Sequence, residues 1–151
     1  MIKELKKSQI PQLLDLWRDS ARAAHPFIEA AYWDAHLAQV RDVYLPIAQT
    51  YVFLEDNRIA GFISILDRDF IGGLFVSSDR QGKGIGSRLM EFVQQRYAAL
   101  DLTVYAENCR AVAFYKKHGF FIARGQTDHE VGRQEYLMTW KRGNSAQTAA
   151  D

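Results

Sequence analysis

The stretch from residue 70 to residue 95 constrains the fold of this chain more than any other. Phe70-Ile71-Gly72-Gly73-Leu74-Phe75-Val76 has the apolar run of a strand. Gln81-Gly82-Lys83-Gly84-Ile85-Gly86 is a glycine-rich turn, and Ile85, Leu89, Phe92 and Val93 then recur at helical spacing. A strand that passes through a tight turn into an amphipathic helix belongs to an α/β layer arrangement, with the helix packed back on the sheet. Such a junction leaves the first N–H groups of the helix unpaired and points the positive end of its dipole outward, which suits an anion. Two glycines inside the strand indicate a bulge or a close approach to the backbone.

Spacing narrows the anion. A dinucleotide fingerprint needs G-x-G-x-x-G and a P-loop needs G-x-x-x-x-G-K-[ST]; G-x-G-x-G is neither. Lys83, with Arg80 and Arg88, adds positive charge. Seven basic residues stand between Arg80 and His118 against three acidic ones. On charge alone, solvated helix faces account for that bias better than a ligand does.

The remaining elements follow from periodicity. A short strand covers residues 2–6, and Ser8 is placed to cap a helix over residues 9–23, with Leu13, Trp17 and Ala21 facing inward. A second helix is predicted over 29–49, ended or bent by Pro46. Strands follow over 51–54, 59–66 and 70–76, then a helix over 84–99 and a strand over 102–105. A helix over 110–118, capped by Asn108 and closed by Gly119, precedes a hairpin of 120–124 and 135–140. The order β-α-α-β-β-β-α-β-α-β-β predicts one α/β (α+β) domain over residues 1–140. It has a mixed twisted sheet of about seven strands, a bulged central strand and four helices. Residues 141–151 are small and polar, and a disordered tail is expected there.

Composition sets the outer limits. The chain has 151 residues, 48% apolar and 25% charged, the mixture of an ordinary soluble domain. Net charge is +1, which removes any bulk argument for nucleic acid or a membrane surface. No apolar run approaches the roughly 20 residues of a membrane span. The opening Met1-Ile2-Lys3-Glu4-Leu5-Lys6-Lys7 has no apolar stretch behind it, so no secretory signal is expected. The single cysteine, Cys109, allows neither an internal disulfide nor a cysteine-built metal site, and a reducing cytoplasm is the expected location.

The glycine loop fits the pattern Q/R-x-x-G-x-G/A. It stands about 25 residues before the segment 104–120, in which Asn108, Tyr115, Gly119 and Phe120 form N-x₆-Y-x₃-G-F. On these two motifs together the chain resembles the GNAT superfamily of N-acetyltransferases over about residues 2–140. HPFI (25–28), YW (32–33), VRD (40–42) and FVQQR (92–96) resemble its small bacterial YiaC-type branch.

The resemblance implies acetyl-CoA as co-substrate and no metal. Its pyrophosphate would lie on the backbone of Gln81, Gly82, Lys83, Gly84, Ile85, Gly86 and Ser87. Its pantetheine arm would run beside Leu74, Phe75 and Val76 like an added strand, with a backbone N–H near Leu74 polarising the thioester carbonyl. Asn108 would touch the arm as well as cap its helix. Tyr115 would be the general acid that protonates the departing thiolate, since a phenol with a reference pKa of about 10 stays protonated at neutral pH. Cys109 has no base paired with it in the sequence, and the resemblance implies direct transfer rather than an acyl-enzyme.

Many relatives place a glutamate on the strand over 102–105, where this chain has Thr103. The candidates left for the amine's proton are His25, Asp69, Glu107 or an ordered water chain. Acceptor contacts are expected from His25, Phe27 and Phe70, with Tyr32 and the loop 125–134 nearby; His129, in that loop, is expected at the surface. The acceptor would be a primary amine, whether a protein lysine, an N-terminus or a small amine, and the protein a monomer or homodimer. A catalytically weak acyl-CoA sensor of the same fold is the alternative. An aminoacyl-RNA acceptor is poorly matched to a net charge of +1.

Overall fold

The structure is a computed structural model and describes residues 1–143. Its most continuously buried segment is strand β3 (Arg58–Leu66), in which residues 59–65 are all buried. A strand apolar along its whole length must be covered on both faces, and β3 sits within a three-layer stack. Among the described residues, seven strands form one sheet: β1 (Ile2–Glu4), β2 (Gln49–Glu55), β3, β4 (Phe70–Val76), β5 (Ala99–Tyr105), β6 (Phe121–Asp128) and β7 (Arg133–Lys141). Their order is β1-β2-β3-β4-β5-β7-β6. Neighbours are antiparallel except β4 and β5.

Four helices cover the sheet: α1 (Ile10–Ala24), α2 (Ala30–Gln39), α3 (Ile85–Gln94) and α4 (Cys109–Lys117). On one face Ile85, Leu89, Met90 and Val93 of α3 and Val112 of α4 pack on Ile63, Ile65, Ile71, Leu100, Leu102, Met138 and Trp140. Gly61 lets α3 come this close: a Cβ there would stand 2.9 Å from the Phe75 carbonyl oxygen and 3.1 Å from Ile85 Cγ2. On the other face Leu13, Leu16, Trp17 and Ala21 of α1, with Trp33 of α2, cover Val52, Ile59 and Phe62. α1 lies over β3 and β4. The same face of β5, β7 and β6 carries no such helix cover, and Thr103 there is exposed. Among the described residues no helix is long and apolar enough to cross a membrane.

The bulge expected from Gly72-Gly73 is present. Ser64 pairs with Gly73 and Ile65 with Ile71, so Gly72 is the extra residue of β4. Several boundaries differ from the sequence reading. Ser8 does not cap α1: a 3₁₀ turn over Lys7–Gln9 leads in, and the Gln9 side chain accepts from the Lys6 N–H instead. The second helix keeps α geometry only to Gln39, then widens into a π turn over Val40–Tyr44 before a last turn at Leu45–Ile47. α3 stops at Gln94, and Ala99, expected at the end of that helix, instead opens β5 together with residues 100 and 101 because all three pair with β7. The final hairpin is longer than expected, so Gly125 lies within β6 and only residues 129–132 form the turn. At the C-terminal boundary β7 runs through Lys141, and Arg142 Nη2 reaches the carbonyls of Gln94, Gln95 and Tyr97 at 3.2, 3.0 and 2.9 Å. The expected tail therefore begins no earlier than residue 143, and residues 144–151 lie outside the described residues.

Candidate active site

The sheet is divided where β4 meets β5. The two parallel strands share one pairing, Phe70 with Asp101, supported by a 2.8 Å bond from the Asp101 N–H to the Asp69 carbonyl. Beyond it they part. The direction of the backbone groups along the gap follows from the neighbouring ladders, in which bonded and non-bonded pairs alternate. The Ser77 N–H bonds the Ala60 carbonyl, which sets the phase of β3 against β4 and turns the N–H groups of Leu74 and Val76 toward β5. The Ala106 N–H bonds the Gln134 carbonyl and the Arg142 N–H bonds the Ala98 carbonyl. By the same rule, Thr103 and Tyr105 turn their backbone groups toward β4. Two strand edges thus face each other inside the sheet without pairing to one another, an arrangement that accepts an extended amide-bearing chain, although the Tyr105 carbonyl is already taken by the Asn108 N–H at 3.0 Å.

The glycine turn lies at the wide end of this gap. Gly82 and Gly84 both have φ of +80°, and a Cβ on either would meet nothing within 4 Å. Gly84 is the N-cap of α3 and no side chain caps the helix, so the first-turn N–H groups open onto clear space. That is a fit for a pyrophosphate, and the gap between β4 and β5 is a fit for a pantetheine arm. The positive charge is narrower than the sequence suggests. Arg80 is turned away onto Glu55 at 3.1 Å, and the Arg88 guanidinium lies 5.0 Å from the Phe53 ring centroid; Lys83 stands in the exposed loop itself. Gln81 donates to the Val76 carbonyl at 3.3 Å, tying the turn to the end of β4.

Asn108 and Tyr115 belong to the same side of the sheet. The Asn108 Oδ1 accepts from the Ala111 N–H at 3.3 Å and caps α4, which leaves its Nδ2 group as a donor. Tyr115 packs between Phe114 and Phe120. It retains some accessible surface, and burial of the ring end pushes its pKa up to about 12. α4 is held to α3 by a 3.1 Å contact between Ser87 Oγ and His118 Nε2 and by Gln94 Nε2 donating to the His118 carbonyl at 2.8 Å. Ser87 thus fixes the two helices to each other as well as lying in the loop. Burial lowers the pKa of His118. Cys109 is exposed at the start of α4, and its nearest polar partner is the Ala106 carbonyl at 4.0 Å.

The opposite face of β5 is different in character. Leu100, Leu102 and Val104 point to the α3–α4 core, so Asp101, Thr103 and Tyr105 alternate to the other side. Cross-strand partners share a face, which sets Thr139, Leu137 and Glu135 of β7 beside them. Phe70, next to the buried Ile71, turns to this open side as well. His25 and Phe27 stand at one end of it: the His25 ring lies 4.9 Å from Trp33, 5.6 Å from Phe27 and 5.4 Å from Tyr105, and Phe27 is 5.7 Å from Tyr105. Phe70 is at the other end, against Asp101, so the three expected acceptor residues share a face without touching as a group.

The candidates for the amine's proton are dispersed. His25 is buried and its Nδ1 donates to the Ala21 carbonyl at 2.7 Å; burial lowers its pKa and keeps the ring neutral. Glu107 is paired with Arg133 at 3.1 Å. Asp69 is exposed in the turn before the closed end of the gap. His129 is exposed in the hairpin turn, as expected. Sequence reasoning missed Leu137, Glu135, Asp128 and Glu130, whose places follow only from the β5–β7 register and the fold of the hairpin tip. The Tyr105 hydroxyl donates to Asp128 at 2.7 Å. Among the described residues, no group of three His, Cys, Asp or Glu side chains is arranged to hold a metal ion.

Comparison with known proteins agrees with this arrangement. The chain is 40% identical over 140 residues to the peptidyl-lysine N-acetyltransferase YiaC of Escherichia coli K12, covering 93% of this chain and 96% of that protein. It is 31% identical over 138 residues to the peptidyl-lysine N-acetyltransferase YjaB of Salmonella typhimurium LT2, covering 91% and 94%. The solution structure of apo YjaB from Escherichia coli superposes with a TM-score of 0.80 at 26% identity, over 93% of this chain and 96% of that one. Residues 14–140 match the acetyltransferase (GNAT) domain family, and with a divided sheet, a glycine turn and an N-x₆-Y segment in register around one gap, the chain belongs to the GNAT acetyltransferases.

Proposed function

We propose that this protein transfers the acetyl group of acetyl-CoA directly to the side-chain amine of lysine in proteins, within a ternary complex. The observation that carries the reading is the gap between β4 and β5, with unpaired backbone donors along it, a bare helix N-terminus at its mouth and a packed tyrosine on the same side. Similarity to two peptidyl-lysine N-acetyltransferases supports the choice of acceptor.

Acetyl-CoA supplies an activated thioester. The loop of Gln81–Ser87 and the first turn of α3 hold its pyrophosphate. The edges at Leu74, Val76, Thr103 and Tyr105, with the Asn108 amide, hold its amide-bearing arm, and the Leu74 N–H donates to the thioester carbonyl oxygen. Phe75 turns its own backbone groups to β3 and its ring onto Phe62, which keeps that edge straight. The acceptor enters from the open face, its alkyl stem over Leu137 and Phe70. A lysine amine has a reference pKa of about 10.4 and must lose a proton before it attacks. With Glu107 ion-paired and His25 enclosed and bonded, water on the open face takes that proton. The Tyr115 hydroxyl gives its proton to the CoA sulfur as the C–S bond breaks. No observation favours a catalytically silent acyl-CoA binder.

The test is acetyl-CoA with a lysine peptide, the same peptide with its lysines blocked and a free N-terminus, and a small diamine, read by thiol release and by the mass and site of the acetylated product. Transfer to the lysine side chain is expected. Thiol release with the other acceptors alone would overturn the assignment.

A further inference from the structure

The hairpin tip is held to α2 by a histidine whose two hydrogen bonds coexist in only one protonation state. His36 lies in the last turn of α2. Its Nδ1 is 2.6 Å from the Tyr32 carbonyl oxygen and its Nε2 is 2.6 Å from a carboxylate oxygen of Glu130, ninety-four residues away in the turn between β6 and β7. Both partners are acceptors, so both ring nitrogens must carry hydrogen, and the ring is an imidazolium. A neutral ring would keep its proton toward one partner and present a lone pair to the other. The bond to the Tyr32 carbonyl raises the His36 pKa most, burial opposes it, and the bond and charge of Glu130 raise it further, leaving it above the ordinary value. The Tyr32 ring stacks on it at 4.1 Å.

This contact matters because little else locates the tip. β6 has no buried residue along its length. The tip is joined to the rest of the molecule by polar contacts: His36 to Glu130, the Tyr105 hydroxyl to Asp128, and Arg133 to the Phe27 carbonyl and Glu107, both at 3.1 Å. These contacts bridge from α2 and the α1–α2 connection to the hairpin across the end of β5, at the Phe27–Tyr105 end of the open face.

We propose that His36 and Glu130 are positioning residues for the acceptor, a proton-operated latch that sets the hairpin tip at the entrance to the open face. This rests on the reading above that the open face receives a lysine-bearing protein. Acceptor binding therefore weakens as His36 gives up its proton, while acetyl-CoA, held by the glycine turn and in the gap between β4 and β5, is unaffected. The charged and titratable groups around His36 are Tyr32 on its own helix, Tyr105 on β5, Asp128 on β6, His129 and Glu130 in the turn, and Arg133 on β7 with its partner Glu107. Burial and the nearby carboxylates push Tyr32 up to about 12 and Tyr105 further still, clear of the neutral range. His129 is the other histidine at the tip, so its own variant serves as the control.

The experiment compares wild type, His36→Gln, Glu130→Gln and His129→Gln with a lysine peptide at saturating acetyl-CoA from pH 6 to pH 9. At pH 6 the peptide KM of His36→Gln and Glu130→Gln should exceed that of wild type roughly five- to tenfold, the size of a lost charge-assisted bond of about 1–1.5 kcal/mol. The ratio should close toward one at pH 9, with the KM for acetyl-CoA unchanged throughout and His129→Gln like wild type. A ratio that stays flat with pH, or an acetyl-CoA KM that moves with it, overturns the latch. If wild type binds acetyl-CoA but acetylates no lysine peptide, the proposed function fails instead. The latch is then read without an acceptor: amide hydrogen exchange over residues 129–133 at pH 6 should quicken at least threefold in His36→Gln, and unchanged exchange overturns it.

Discussion

Replacing Tyr115 by phenylalanine separates chemistry from packing, because the ring contacts with Phe114 and Phe120 stay while only the hydroxyl is lost. Burial raises the phenol from 10 to about 12, with no hydrogen bond or charge contributing. That shift is worth about 2.7 kcal/mol against the phenolate, so at pH 8 only about one molecule in ten thousand is ionised. The hydroxyl therefore stands ready as a donor across the working range, and the pH–rate profile should show no descending limb from Tyr115 below about pH 11. Loss of the donor should cost about 10²–10⁴ in kcat, or about 2.7–5.5 kcal/mol of barrier. Stability should hold. The ring contacts with Phe114 and Phe120 are kept in the variant, so Tyr115→Phe should match wild type in Tm within about 2 °C. The wild-type protein should also lose stability as pH rises from 10 toward 12, where the unfolded chain ionises before the folded one, and the variant should lose less. Thiol release from acetyl-CoA with a lysine peptide measures the first effect and thermal unfolding across pH the second. A variant with near-normal turnover, or one that turns over slowly because its Tm has fallen, would refute the reasoning.

Three further outcomes follow from particular contacts. Gly84→Asp should abolish the rise in Tm caused by acetyl-CoA by setting a carboxylate where the pyrophosphate would lie; Gly84→Ala, with free space but φ of +80°, should cost about 1 kcal/mol of stability and weaken binding far less, as titration calorimetry would show. His25 is held neutral by burial, so folding stability is complete above its unfolded pKa of about 6.5 and is lost as pH falls through the lowered folded value; His25→Gln should flatten that acid-side loss in urea unfolding at pH 5 and pH 7. Arg142→Ala, which uncaps the carbonyls at the end of α3, should lower stability by about 1 kcal/mol in the same assay, with kcat unchanged.

Much of the scaffold could be read from residue order because its causes are local. Leu13, Trp17 and Ala21 recur at helical spacing and are buried together. Asn108 is a cap by its own chemistry, and Gly72-Gly73 mark a bulge because few other residues fit one. The errors fell where distant partners decide. Ala98-Ala99-Leu100 favours a helix by propensity, yet the ladder with β7 draws residues 99–101 into a strand. Arg80 stands beside the glycine turn in sequence but spends its charge on Glu55, which a distant strand brings alongside. The phase of two ladders aims the backbone of Leu74 and Thr103 into the gap, and nothing in either residue's type reveals it. The polar contacts around Glu130 join segments almost a hundred residues apart, so the ring chemistry of His36 was invisible until the hairpin was in place.

The single pairing between β4 and β5 has a mechanical consequence. A continuous sheet resists shear because every ladder bond must fail together, whereas here two half-sheets, β1-β2-β3-β4 and β5-β7-β6, meet at one hinge-like point around Phe70 and Asp101. In the free protein their coupling falls to the α3–α4 layer and to the contacts around Tyr105, so the halves can rock against each other. An extended molecule bonded to both edges would act as the missing strand and stiffen the whole body. Amides at the wide end of β4 and β5 should then exchange readily in the free protein and slow together when acetyl-CoA is added, while those of β2 and β3, already laddered on both sides, stay as they were.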